Sequence, residues 1–248
     1  MKINLSKETL EERNEMMKDM EKRKLLTGIR SIDITFRFLM KGSVYGVCAP
    51  TGIGKTTFLF ATAKKMAADG KKVLYLSIEM SIMQLLPFCP EDEPNLTIEE
   101  FNGNWDLLAA EIIAENYDVI CYDYIGAKID SWDELISEAD KVAEFAKIND
   151  LIVFTALQAS PSLLECSDEQ LLYTNYYVAF SRGMINKFAG AAYIINDKNK
   201  NSLYCMKNRY AEQLRHPVVM DDLDYKNKAW VDINECKNQM KASAFGAI

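Results

Sequence analysis

The run Ala49-Pro50-Thr51-Gly52-Ile53-Gly54-Lys55-Thr56-Thr57 sets glycines, a lysine and hydroxyls between an apolar β-rich stretch and a helical one. It departs from the pattern G-x-x-x-x-G-K-[ST] only in carrying Ala49 at the first position. A tight turn of this kind aims successive backbone N–H groups inward, and the following helix adds the positive end of its dipole. Together they form a cradle for a polyphosphate. Lys55 is then placed to reach the β- and γ-phosphates and the Thr56 hydroxyl to hold Mg²⁺, while Gly54 allows the backbone to approach closely.

Further residues join this loop by order along the chain. The next β-rich run ends at Ile78-Glu79-Met80-Ser81, which puts Glu79 at the carboxyl edge where parallel sheets hold their ligands. There it can orient or deprotonate a water that attacks the γ-phosphate; the plainer alternative is a carboxylate at a helix start. Val119 to Tyr122 lead into Asp123, a second acidic strand end suited to hold Mg²⁺ through water. Gln158 closes a fourth run, either as an amide that feels the γ-phosphate or as an ordinary strand-end side chain.

These side chains need strands that share a direction. The runs Ser43 to Cys48, Lys72 to Ile78, Val119 to Tyr122 and Leu151 to Leu157 alternate with helical periods at Lys55 to Ala68, Asn104 to Asn116 and Trp132 to Ile148. That alternation predicts βαβ units, an α/β fold and a mainly parallel twisted sheet. Ser131 and Glu134 form a capping box for the last helix. Runs at Ala191 to Ile195, Leu203 to Met206, Val218 to Met220 and Ala229 to Ile233 are expected to extend the sheet, whereas Pro87 to Gly103, with its prolines and acids, reads as a loop. Leu5 to Lys24 reads as one amphipathic helix with Leu10, Met17 and Met20 near one face and Ser6 or Thr9 as cap. It is either a solvated extension or an arm that docks on a neighbouring subunit.

Composition narrows the chemistry. The 248 residues carry 29 Lys+Arg and 36 Asp+Glu, so the net charge is 29 − 36 = −7, and His216 is the only histidine. A Ser/His/Asp triad would have to use it, and a zinc site would need mostly Cys or carboxylate ligands. The acidic balance excludes a generally basic coat but leaves room for a local groove that binds nucleic acid. Cysteines at 48, 89, 121, 166, 205 and 236 show no C-x-x-C pair and read as reduced core thiols. No apolar run approaches a membrane span, so a cytoplasmic protein is expected.

In this order the motifs resemble the RecA-fold ATPase domain of DnaB-like replicative helicases, over roughly residues 27 to 233. The resemblance begins at Thr27-Gly28-Ile29 with Ile32-Asp33 and at Gly42, and includes the alanine at position 49. Leu76-Ser77-Ile78-Glu79-Met80-Ser81 is similar to the family's catalytic-glutamate segment, Asp123-Tyr124-Ile125 to its Mg²⁺-associated strand end, and Ala156-Leu157-Gln158 to its sensor glutamine. Ser181-Arg182-Gly183-Met184-Ile185 is similar to the stretch after the channel loop, which makes Ser181, Arg182 and Gly183 the implied DNA contacts, ahead of Lys187 and Lys128. Lys207-Asn208-Arg209 resembles the family's lysine-x-arginine finger, with Tyr210 where a glycine is usual. Alternate strand residues point the same way, so both cations can project into a neighbour's nucleotide site; solvated strand charges are the alternative.

The resemblance implies an N-terminal helical arm over 1–26, a RecA-like P-loop core over 27–235 and a flexible tail over 236–248. It implies an ATP- and Mg²⁺-dependent helicase in replication, moving on single-stranded DNA in a bacterial or phage-infected cell. The ring would be a homo-hexamer with Lys207 and Arg209 acting in trans, and a primase or loader would be its partner. A core without a preceding domain looks most like phage- or plasmid-type helicases. The acidic segment Ala159 to Tyr177 reads as a loop in which Tyr173, Tyr176 and Tyr177, with Phe180 beyond it, either stack bases or pack the core. The rival readings are a RecA- or KaiC-like ATPase of recombination or regulation, and a nucleotide-switched assembly or loader protein.

Overall fold

A computed structural model describes residues 10–89, 92–127, 129, 131–173, 182–196 and 201–231. The chain opens with α1 (Leu10–Lys22), β1 (Lys24–Leu25), α2 (Arg30–Phe36) and β2 (Leu39–Met40), β1 and β2 pairing in a small antiparallel ribbon. Then come β3 (Ser43–Ala49), α3 (Lys55–Ala68), β4 (Val73–Ser77), α4 (Ile82–Leu85), β5 (Leu96–Glu100), α5 (Trp105–Glu115), β6 (Val119–Asp123), α6 (Trp132–Ile148) and β7 (Ile152–Gln158). The second half holds α7 (Asp168–Tyr173), α8 (Arg182–Lys187), β8 (Gly190–Asn196), β9 (Asn201–Asn208), β10 (Val218–Val219), β11 (Leu223–Asp224) and β12 (Ala229–Trp230).

The main sheet runs in the order β10-β9-β8-β3-β7-β6-β4-β5. From β8 to β5 every neighbouring pair is parallel; β9 and β10 run antiparallel at one edge. Period-2 alternation sorts the strand residues to two cores. Val44, Cys48, Leu74, Leu76, Ile120, Tyr122, Val153 and Leu157 pack under α5 and α6. Their neighbours Tyr45, Val47, Tyr75, Cys121, Phe154 and Ala156 pack under α2 and α3. Both faces of the central strands are covered, which is why those strands read as continuous apolar runs.

Local chemistry sets the helix ends. The Asn104 side chain accepts from the Leu107 N–H at the start of α5, and Asn116 ends that helix in a left-handed conformation at φ 55. Ser131 Oγ accepts from the Glu134 N–H and caps α6, as its spacing predicts. Asp33 reaches back to the Thr27 N–H and hydroxyl and to the Gly28 N–H, tying the Thr-Gly turn to α2.

The structure corrects several expectations. Pro87 to Gly103 is not all loop: Leu86–Phe88 is a 3₁₀ turn and β5 is a strand paired in parallel with β4, Val73 opposite Leu96. Its side chains are only partly buried, so it lacks the apolar signature of an interior strand. Ala159 to Tyr177 contains a 3₁₀ turn at Pro161–Glu165 and the helix α7. Ala229 to Ile233 does not extend the main sheet; β12 pairs with β11 in a separate ribbon that packs on α3 through Trp230 against Phe58. The arm helix starts at Leu10 among the described residues, with Ser6 and Thr9 lying outside them, and its Met17 and Met20 are exposed. Cys48, Cys121 and Cys205 are buried free thiols, but Cys89 and Cys166 are only half-buried. Cys236 and the rest of the expected tail lie outside the described residues.

Candidate nucleotide site

The loop Ala49 to Thr57 begins where β3 stops and ends inside the first turn of α3. Gly54 stands before α3 with φ 106, a conformation that side-chain-bearing residues rarely adopt. A Cβ there would lie 2.6 Å from the Tyr225 ring, so glycine is required by the neighbour as well as by the backbone. Pro50 O accepts from the Ile53 N–H and Gly54 O from the Phe58 N–H, which closes the turn onto the helix.

Lys55 Nζ folds into this turn, donating to Ala49 O at 3.1 Å, Pro50 O at 3.2 Å and Gln158 Oε1 at 2.9 Å. Gln158 in turn donates from Nε2 to Thr51 Oγ1 at 2.9 Å. The register explains the meeting: Ala49 lies opposite Gln158, so the end of β7 stands beside the root of the loop. Burial lowers the Lys55 pKa, and the charges of Asp123 and Glu79 work against that fall.

Asp123 ends β6 opposite Ser77, on the same sheet face as Tyr75 and Gln158. Its Oδ2 accepts from the Tyr75 hydroxyl at 2.7 Å. Oδ1 is buried and makes no hydrogen bond among the described residues. Burial raises the Asp123 pKa; hydrogen bonding to Tyr75 and the neighbouring Thr56 hydroxyl offset part of the rise, without Thr56 satisfying Oδ1. A buried carboxylate oxygen left open beside a hydroxyl is a hard oxygen donor set, and it suits Mg²⁺. Thr56 and Asp123 would hold that ion.

Glu79 lies just past the end of β4, in a turn tied to β6 by the Ile78 N–H to Asp123 O bond. It stands against Tyr124, whose hydroxyl is pushed up to about 12, first by burial and then by the Glu79 carboxylate. The Lys55 ammonium sits 5.7 Å from the centre of the same ring. Lys55, Thr56, Glu79, Asp123 and Gln158 therefore converge at the carboxyl edge of the sheet.

Lys207 and Arg209 do not. Because β9 is antiparallel to β8, its end lies at the opposite edge: Arg209 N–H donates to Ala189 O, and Ala189 N–H to Val44 O near the start of β3. The length of β3, roughly 20 Å at the usual strand rise, separates them from their own phosphate loop. Lys207 Nζ donates to Ile185 O at 2.8 Å and Asn186 O at 3.1 Å, and Arg209 donates to Asn186 O at 3.1 Å. The cations thus share a side, as the alternation predicts, and rest on the carboxyl end of α8. Burial and the nearby Arg209 charge lower the Lys207 pKa to about 8. Arg209 and Tyr210 border a cleft of about 740 Å³ together with Met20, Arg23, Lys41 and Lys147.

Of the implied DNA contacts, Ser181 lies outside the described residues, as does the side chain of Arg182, and Gly183 sits in the first turn of α8. Lys187 ends α8 in an ion pair with Asp140 at 2.6 Å. Lys128, Tyr176, Tyr177, Phe180 and the side chain of Tyr173 lie outside the described residues.

Sequence reasoning passed over Tyr75, Tyr225 and Lys228. Tyr75 follows from strand alternation once Asp123 is assigned, since both side chains fall on one face. Nothing local announces the other two. The β11–β12 ribbon brings Tyr225 against Gly54 and lets Lys228 Nζ donate to Thr57 Oγ1 at 3.1 Å.

The strand order and the loop between β3 and α3 define a RecA-like α/β core of the P-loop type, as the motifs lead one to expect. The chain superposes on the solved ATPase domain of a DnaB-like helicase with a TM-score of 0.68 at 16% identity, covering 93% of this chain and 100% of that domain. It is also 30% identical over 155 residues to the DNA repair protein RadA in each of two Helicobacter pylori strains, covering 54% of this chain and 34% of RadA. The chain thus spans about a third of the length of these curated relatives. No family model matches it. Among the described residues no helix is long and apolar enough to cross a membrane.

Proposed function

We propose that the chain is a ring-forming ATPase that hydrolyses ATP between subunits and moves along single-stranded DNA as a replicative helicase. The observation that carries the reading is the split of its catalytic groups between opposite sheet edges. Lys55 and the loop amides bind the phosphates; Thr56 and Asp123 hold Mg²⁺; Glu79 orients the attacking water; Gln158 contacts the γ-phosphate. Mg²⁺, when bound, neutralises charge on the β- and γ-phosphate oxygens. Lys207 and Arg209 serve the neighbour, and a head-to-tail contact of this kind closes into a ring, for which a homo-hexamer is the proposed size.

Gln158 and two loop carbonyls engage the Lys55 ammonium in this structure. A γ-phosphate competes for the same ammonium, so its arrival frees Gln158 and Thr51 from their present bonds. Gln158 leads directly into the segment with α7, which precedes the proposed DNA contacts Ser181, Arg182 and Gly183. Nucleotide state at the loop is thereby linked to strand binding. The arm over 1–26 is proposed to lace neighbouring subunits through its exposed methionines, and a primase or loader protein to be a further partner.

Single-stranded DNA should stimulate ATP hydrolysis, and the full chain should displace a strand from a forked duplex. ATPase activity indifferent to DNA, with no strand displacement, would leave a nucleotide switch as the better description. Glu79→Gln should bind ATP and hydrolyse it at least about a hundredfold more slowly; unchanged turnover removes Glu79 from the water-activating role.

A further inference from the structure

Asp123 is 1% exposed and its carboxylate is divided by its surroundings. Oδ2 takes the Tyr75 hydroxyl at 2.7 Å, whereas Oδ1 has no hydrogen bond among the described residues. Tyr75 sits on β4 opposite Cys121, two residues before Asp123 on β6, so its ring lies along the strand direction with its hydroxyl at the diagonal neighbour. The ring has no exposure and packs edge-on against Phe60, centroids 5.0 Å apart at 83°. It is confined among packed core side chains, so its hydroxyl stays at the carboxylate. A hydrogen bond from a neutral donor to a buried carboxylate is strong and directional. With Oδ2 fixed, rotation of the carboxylate about its Cβ–Cγ bond is blocked, and the open oxygen is held toward its remaining polar neighbours, among them Thr56.

We propose that Tyr75 is a positioning residue for the divalent cation: its hydroxyl pins Asp123 so that Oδ1 alone is presented beside the Thr56 hydroxyl. The inference rests on the ATPase reading and names a residue on which its metal site depends. Outer partners of this kind hold a metal-side oxygen in direction and distance without touching the metal.

The test uses the full chain and a fluorescent ADP analogue, with affinity measured in Mg²⁺ and again in EDTA for wild type and Tyr75→Phe. The variant should keep its EDTA affinity within about twofold and lose about tenfold of the enhancement that Mg²⁺ gives. An enhancement equal to wild type overturns the proposal, and so does an equal loss in both media, which would make Tyr75 a packing residue only. A wild-type chain that binds no nucleotide in either medium overturns the ATPase reading instead. Should Tyr75→Phe fail to fold, fluorotyrosine-labelled wild type supplies the second measurement. Adding Mg²⁺ to the ADP complex should shift the ¹⁹F signal of a tyrosine protected from a soluble relaxation agent; a spectrum in which no protected tyrosine responds overturns the proposal.

Discussion

Mixing two crippled variants, Lys55→Ala and Arg209→Ala, separates a site shared between subunits from one built within a chain. The loop lysine and the finger arginine lie at opposite ends of β3, roughly 20 Å apart by strand rise, several times the reach of an arginine side chain. No rotamer change brings Arg209 to its own loop, because its backbone is fixed by the Arg209 N–H to Ala189 O bond. Each variant alone should fall about 10³- to 10⁵-fold in ATP hydrolysis, the worth of a cation at the developing γ-phosphate charge. In an equal random mixture a site is whole wherever a subunit with intact Lys55 meets a neighbour with intact Arg209. That chance is about one half times one half, so about a quarter of wild-type turnover should return on mixing. The assay is steady-state phosphate release after co-dissociation and reassembly of the variants at fixed total protein. If the site lay within one chain, every subunit in the mixture would lack one group and activity would stay at the level of the parts. That flat result would refute the shared-site reasoning, as would full activity of Arg209→Ala by itself.

Other consequences can be measured separately. Lys207 is lowered from 10.5 to about 8, so its charge is lost as pH rises through that value in the fold, while an unfolded lysine stays protonated to higher pH. ATP hydrolysis should therefore decline above pH 8 even as this group's contribution to stability rises, and Lys207→Arg should move the decline to higher pH; an identical pH–rate profile for the variant counts against a catalytic cation there. Gly54→Ala should destabilise the fold by about 1–3 kcal/mol in urea unfolding, since φ 106 and the Tyr225 ring both oppose a Cβ; a shift too small to measure would show that loop and ring yield together. Phe154→Ala removes a fully buried ring that packs against Phe36, Tyr45 and Phe58 and should cost about 3–5 kcal/mol. Ser131→Ala should cost about 1 kcal/mol through the lost α6 cap, and no change would mean that water replaces it.

Most of the sheet edge was readable because its signals are local. The loop sits between a strand and a helix in sequence as in space, and the apolar runs before Glu79, Asp123 and Gln158 are strands buried on both faces. The edge strand β5 escaped notice for the opposite reason: Leu96–Glu100 has one neighbour and half-exposed side chains, so packing never imposed an apolar run. Ala229 and Trp230 have strand-like residues but pair outside the main sheet, since nothing in their composition says which sheet they join. Tyr225 against Gly54 and Lys228 on Thr57 are contacts between segments with most of the domain between them. The finger spacing gave the shared side of Lys207 and Arg209 but not their seat on the α8 carbonyls, which depends on where a neighbouring helix ends.

The pairing of β3 bears on how the chain comes off the ribosome. Its hydrogen-bonded neighbours are β7 and β8, so Ser43 waits for Ile152 and Tyr45 for Gly190 before either edge is satisfied. Tyr225 closes over Gly54 later still. The phosphate loop is among the first segments synthesised and among the last to be completed. Throughout elongation β3 is an unpaired apolar strand that invites misassociation. Nascent chains halted before β12 should therefore expose this strand to chaperones and fail to be rescued by nucleotide.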